Sequence, residues 1–192
     1  MLRTAATPFI VPSAALADVT LAAMTATIGT SRPGPAHTLV FAHGTGLCKE
    51  TWLPLWAGLE EATGGEWTET AGAAARLRLV AWDHAWHGGS RLGSLDGDVG
   101  ADGKAYEPLD WWGLAHDALA VIDALDDDID VAGQGAPRPE SSGLRIAVGH
   151  SMGATTLLMA AILRPGVFDA IVAYEPIVFP PSAGHGASHV MA

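Results

Sequence analysis

The sequence predicts an α/β fold with a mostly parallel sheet, on three observations. From residue 37 onward, short apolar runs alternate with helix-like segments. The run at 37–42 (HTLVFA) is continuously apolar, as in a strand buried on both faces. The 192 residues are 49% hydrophobic and 16% charged, which is enough for a single domain with a core and excludes a disordered chain.

The elements follow in order. Residues 7–16 (TPFIVPSAAL) and 19–28 (VTLAAMTATI) read as an antiparallel strand pair, and Pro12 makes the first of them an edge. Met1-Leu2-Arg3 followed by apolar residues resembles the start of a signal peptide, but Pro8 and Pro12 interrupt it, so a first strand is the better reading. After the 37–42 strand comes a helix at 50–62, in which Pro54 lies near the start. Residues 64–75 read as a loop, 76–82 (RLRLVAW) as a strand and the glycine-rich 88–109 as a long loop. Residues 110–126 form a helix, capped by Asp110, with Leu114, Leu119, Ile122 and Leu125 near one face and Val121 flanking it. Asp126, Asp127 and Asp128 read as a solvated end that the helix dipole disfavours. A polar linker at 127–143 precedes a strand at 144–149, a helix at 151–163 stopped by Pro165-Gly166, a strand at 168–174 and a tail at 180–192.

Composition narrows the partners. Net charge is −11 with ten basic residues, so neither nucleic acid nor an anionic membrane surface is expected. No apolar run approaches the ~20 residues of a membrane span. The single cysteine, Cys48, excludes an internal disulfide framework and a multi-cysteine zinc site.

In such sheets, ligands bind beyond the carboxyl ends of the strands. The strongest signal lies there: Gly149-His150-Ser151-Met152-Gly153 fits G-x-S-x-G between a strand and a helix. Ser151 then sits on a tight, strained turn, and Gly149 and Gly153 remove side chains that would strike neighbouring backbone. Its Oγ is exposed at a helix N-terminus, where developing negative charge is favoured, and the Met152 N–H is placed to bind an oxyanion. The second signal is His43-Gly44-Thr45-Gly46 after the first parallel strand. Serine hydrolysis needs a second oxyanion donor from this loop; the Thr45 N–H is the candidate, with Gly44 and Gly46 allowing close approach. His43 precedes the turn and reads as a brace for the loop rather than a base.

With these motifs the chain resembles the α/β-hydrolases over residues 7–178. Asp83-His84-Ala85-Trp86-His87-Gly88-Gly89-Ser90 resembles the family's D-x-R-x-H-G-x-S turn, with Ala85 in place of arginine. That turn is structural in the family, so His87 carries no catalytic role. The leading strand pair, Lys49-Glu50-Thr51-Trp52, Trp111-Trp112 and Tyr174-Glu175-Pro176 are most similar to the fungal peroxisomal-lipase and toxin-biosynthesis branch. The resemblance implies a serine hydrolase acting on a small-molecule carboxylic ester, without metal or cofactor, in the cytoplasm or peroxisome.

It also implies a histidine base and an orienting carboxylate after the serine. Only residues 176–192 follow Glu175, whereas each further βα unit takes about 30 residues. The expectation is an N-terminal portion of a hydrolase, lacking the last strands and catalytically incomplete. Glu175 is the candidate acid, and His185, with His189 as the other tail histidine, is the candidate base. The alternatives are a structural Glu175 and a non-catalytic ligand pocket. A sheet ending at 168–174 would leave an open edge through which a dimer forms.

Rival readings are weaker. Gly44-Thr45-Gly46 offers G-x-G, but Lys49 stands where a third glycine belongs, and no phosphate-binding G-x-x-x-x-G-K-[ST] loop occurs. Asp83, His84 and His87 lack the spacing of a metal motif. Cys48 reads as an unreactive thiol. Most of the tryptophans read as core; Trp86, Trp111 and Trp112 flank the proposed cleft and would shape an apolar acyl pocket.

Overall fold

The computed structural model describes residues 4–16, 19–29, 36–65, 67–68, 74–92, 110–127 and 143–178. Its elements are β1 (Thr7–Pro12), β2 (Val19–Gly29), β3 (Ala36–Ala42), a 3₁₀ turn (Lys49–Trp52), α1 (Leu53–Ala62), β4 (Trp67–Thr68) and β5 (Ala74–Trp82). They continue with β6 (Arg91–Leu92), α2 (Trp111–Asp127), β7 (Arg145–His150), α3 (Met152–Leu163) and β8 (Ala170–Tyr174). The main path through the sheet is β1-β2-β5-β3-β7-β8, with β4 paired to β5 and β6 to β2. β3, β5, β7 and β8 run parallel, and β1 and β2 antiparallel. This is the mixed α/β-hydrolase-like sheet that the sequence predicts, with Pro12 on an edge strand.

Two expected loops are corrected. The segment 64–75 contains β4 and the start of β5, and 88–109 contains β6. Pairs of residues are too short to carry a hydrophobic period, so these strands are set by their neighbours rather than by their own pattern. Residues 93–109, most of the 127–143 linker and the 180–192 tail lie outside the described residues.

Alternation along the strands builds two cores. On one face Leu21, Val40, Val80, Trp82 and Ala147 pack with Leu119, Ile122 and Leu157 of α2 and α3. On the other, Ile28, Phe41, Leu77 and Leu79 pack around Trp56 of α1. Each such large side chain, fully buried, contributes about 1.5–3 kcal/mol. Asp110 does cap α2, accepting the Gly113 N–H at 2.5 Å. The acidic end of α2 is not simply solvated. Asp126 pairs with the buried Arg145 of β7, and Asp123 with Arg164 after α3.

The connections place the site. From β3 the chain moves through α1 to β5, whereas from β7 it moves the other way, through α3 to β8. Right-handed crossovers then put α1 on one face and α3 on the other. The topological switch therefore lies between the adjacent strands β3 and β7, beyond whose carboxyl ends sheets of this kind bind ligands. Ala42 pairs with both Trp82 and Gly149, and His150 with Tyr174, so all four parallel strands end on one rim.

Candidate active site

Ser151 joins β7 to α3 at φ 52°, ψ −119°, a left-handed conformation that a serine holds only when its surroundings impose it. Two glycines impose it. A Cβ on Gly149 would lie 2.4 Å from Ala154 Cα, and one on Gly153 would lie 2.2 Å from the Ala42 carbonyl oxygen. The turn closes because both side chains are missing. The Ser151 N–H donates to Tyr174 O at 2.9 Å, and its carbonyl accepts the Thr155 N–H at 3.2 Å, which starts α3. Among the described residues the Ser151 hydroxyl has no hydrogen-bond partner.

The loop after β3 lies against this turn. A Cβ on Gly44 would be 3.3 Å from Ser151 Cβ and 2.8 Å from His150 Nδ1. The Thr45 hydroxyl donates to Met152 Sδ at 3.5 Å, tying the loop to the first residue of α3. Thr45 is exposed, and among the described residues its N–H has no partner. The Met152 N–H opens α3, where no carbonyl of the helix reaches it. Its side chain is fully buried with Trp111 and Leu114, and Ile177 packs beside them. Thus Ser151, Thr45, Met152, Gly44, Gly149 and Gly153 come together on one rim.

His43 is fully buried. Its Nδ1 lies 2.8 Å from Gly44 O, and its Nε2 accepts the His84 N–H at 3.2 Å. A carbonyl can only accept and an amide N–H can only donate, so the ring is neutral with its proton on Nδ1. Burial holds its pKa below the ordinary value, although the Gly44 bond opposes that shift. With both nitrogens engaged, His43 is a brace for the loop, as its position before the turn suggests. His84 stacks edge-on against it at 4.7 Å and is held well below its ordinary pKa by burial, then by His43 and His87.

Asp83 organises the other side of the loop. It is fully buried, and its carboxylate accepts the Lys49 N–H at 2.6 Å, the Lys49 ammonium at 2.7 Å and the Gly89 N–H at 2.7 Å. Gly88 adopts φ 51°, and a Cβ there would fall 2.3 Å from the same carboxylate. Ser90 donates to Asp83 O and accepts the Ala22 N–H, tying the turn to β2. Burial alone would lower the Lys49 pKa, but its bonds to Asp83 and Glu50 raise it. The sequence does not announce this bridge to the loop after β3; the signal available is Asp83 closing a strand. A bond to Glu50 raises the Cys48 thiol pKa, which favours the unreactive form.

Glu175 follows β8 at φ 47°, is exposed and lies one residue beyond the carbonyl that holds Ser151. His185 and His189 lie outside the described residues. Of the tryptophans, Trp56 and Trp82 are core, Trp111 packs beside Met152, and Trp86 and Trp112 are exposed. Among the described residues no cluster of three His, Cys, Asp or Glu is arranged to hold a metal. No described helix is long and apolar enough to cross a membrane.

Known proteins are similar to this chain in sequence and fold. The chain is 27% identical over 156 residues to the type I acyl-CoA thioesterase mpaH of Penicillium brevicompactum, covering 80% of this chain and 30% of that protein. It is 26% identical over 148 residues to peroxisomal membrane protein LPX1 of Saccharomyces cerevisiae, covering 77% of this chain and 33% of that one. The chain therefore spans about a third of the length of these relatives. Among solved structures, the peroxisomal alpha-beta-hydrolase Lpx1 of S. cerevisiae superposes with a TM-score of 0.57 at 20% identity, over 94% of this chain and 47% of that one. Epoxide hydrolase A of Mycobacterium thermoresistibile gives 0.53 at 20% identity, over 88% and 39%. The profile described as "Alpha/beta hydrolase family" matches residues 39–192. By that match, and by the sheet and elbow described above, the chain belongs to the alpha/beta hydrolase family.

Proposed function

We propose that this chain carries the nucleophile and oxyanion site of a serine hydrolase acting on carboxylic esters. The observation that supports the reading most is the strained backbone of Ser151, with the Gly44 loop packed against it. Ser151 Oγ attacks the ester carbonyl carbon as its proton passes to a base. The carbonyl oxygen becomes an oxyanion held by the Thr45 and Met152 N–H groups, each worth about 3 kcal/mol to the transition state. The carbon–alkoxy bond then breaks, the alcohol leaves with the proton, and water releases the acid by the same steps.

Glu175 is the proposed orienting acid and His185 the proposed base, in the family's order. If His185 does not reach Ser151, this chain by itself is catalytically incomplete, which is the other form of the proposal. Loss of base and acid leaves oxyanion-hole catalysis at about 10³–10⁴-fold over water. A thioester is the second substrate reading, because mpaH is named an acyl-CoA thioesterase. A peroxisomal site of action rests in the same way on the yeast relative's name. The small-molecule substrate meets the rim beside the exposed Trp86 and Trp112, which suits an apolar acyl group.

The test is hydrolysis of p-nitrophenyl esters and thioesters by the chain beside its Ser151→Ala variant, with fluorophosphonate labelling of both. Label on Ser151 supports the reading, and turnover that Ser151→Ala abolishes places a base within these residues. Equal reactivity of the two proteins would favour a non-catalytic ligand pocket.

A further inference from the structure

The Gly44 carbonyl is held from two sides. His43 Nδ1 lies 2.8 Å from it and the Leu47 N–H donates to it at 3.2 Å. A peptide unit is planar and trans, so the N–H of Thr45 points the opposite way within the same plane. His43 is fixed in turn, because it is fully buried and its Nε2 takes the His84 N–H. The Cα of Gly44 faces Ser151 Cβ closely enough that an added methyl group would sit 3.3 Å from it. The imidazole therefore sets a peptide plane that borders the nucleophile. We infer that His43 is a positioning residue: through the Gly44–Thr45 peptide it orients the Thr45 N–H as an oxyanion donor, and it transfers no proton itself.

The inference rests on Ser151 being the nucleophile, and it makes a claim of its own about hydrogen placement. The groups facing His43 are the Asp83 carboxylate, 3.9 Å from Nε2, and the rings of His84 and His87 at 4.7 and 5.2 Å. Lys49 lies behind Asp83. A proton on Nε2 would turn a donor toward the His84 N–H, so the working form is neutral with the proton on Nδ1. An asparagine side chain places its amide where Nδ1 lies and keeps the donor. A glutamine reaches only the Nε2 position and loses it.

Two measurements on the full 192-residue chain test this. Nitrogen-15 NMR of the imidazoles reports the tautomer without any reaction; the neutral Nδ1–H form of His43 is expected throughout the folded pH range. An Nε2–H form, or a mixture of the two, would overturn the inference. Fluorophosphonate labelling rates are then compared for the parent chain and for His43→Asn, His43→Gln and Ser151→Ala. Loss of one oxyanion donor lowers rates by about 10²–10³-fold. His43→Gln is expected to slow labelling by about 10–100-fold at unchanged half-saturation, with His43→Asn within about threefold of the parent. Equal rates for the two variants would reject the positioning role. A parent chain that does not label at Ser151 would reject an activated serine within this chain, whereas an Nε2–H form of His43 would overturn the positioning role whether or not Ser151 reacts.

Discussion

Ser151, Trp86 and Glu175 are the non-glycine residues with positive φ among those described; Ser151 and Glu175 directly follow the parallel strands β7 and β8, and Trp86 lies in the turn after β5. A residue so placed costs about 1–3 kcal/mol and persists because its neighbours over-determine it. At Ser151 those neighbours are glycines with no room to grow. Gly153→Ala is expected to destabilise the fold by about 3 kcal/mol, since the new methyl group would meet backbone that cannot yield. Gly46→Ala, at φ 76° in open space, is expected to cost only about 1 kcal/mol. Urea midpoints for the two variants separate collision from conformational cost. Burial lowers the pKa of both His43 and His84 in the folded chain. The unfolded chain therefore takes up protons first as pH drops below about 6.5. Stability is full above that value and falls below it, by up to about 1.4 kcal/mol per pH unit for each ring. Denaturation midpoints followed from pH 7 downward read this slope, and a flat profile would contradict the burial of the pair. The elbow glycines were legible in sequence because sterics at a tight turn admit nothing else. The double engagement of His43 was not, because its partner His84 is brought to it by sheet pairing.

At the scale of elements, the loop after β3 is held by the turn after β5 through Asp83. Its three close hydrogen bonds come from donors 34 residues back and 6 residues ahead. Asp83→Asn leaves one acceptor and turns an amide donor toward groups that already donate. Breaking a buried pair in this way costs about 3–5 kcal/mol. The expected result is a stability loss of that size, together with slower serine labelling, because the Thr45 loop loses its outer anchor. Chemical denaturation and labelling on the same sample check both, and an unchanged labelling rate in folded protein would confine Asp83 to stability. The major strands and helices were readable from apolar runs and the positions of proline and glycine. β4 and β6 were not, since two-residue strands owe their existence to a partner. The partner of Asp126 is not readable for a similar reason: Arg145 lies on another element, and no sequence spacing announces that Asp126 will reach it.

Across the whole molecule, β1 and β8 flank the sheet path, and they differ in protection. β1 carries Pro8 and Pro12, which discourage further pairing. β8 reads AIVAY and carries no charge; Val172 is 55% exposed and Tyr174 63%. An uncharged apolar edge is a template for another strand. The 192-residue chain is expected to self-associate in a concentration-dependent way, and Val172→Lys to return it to monomer. Light scattering across a dilution series decides the matter; a parent chain that stays monomeric at high concentration would refute it. Among the described residues no strand pairs with the outer side of β8, and no sequence spacing announces its bond to the elbow. The carbonyl that holds the Ser151 amide belongs to Tyr174, on the exposed strand itself. Fraying at the rim of the sheet would therefore reach the Ser151 backbone through this bond, and whatever covers β8 would steady the proposed nucleophile. Amide exchange at Ser151 would register the occupancy of that edge.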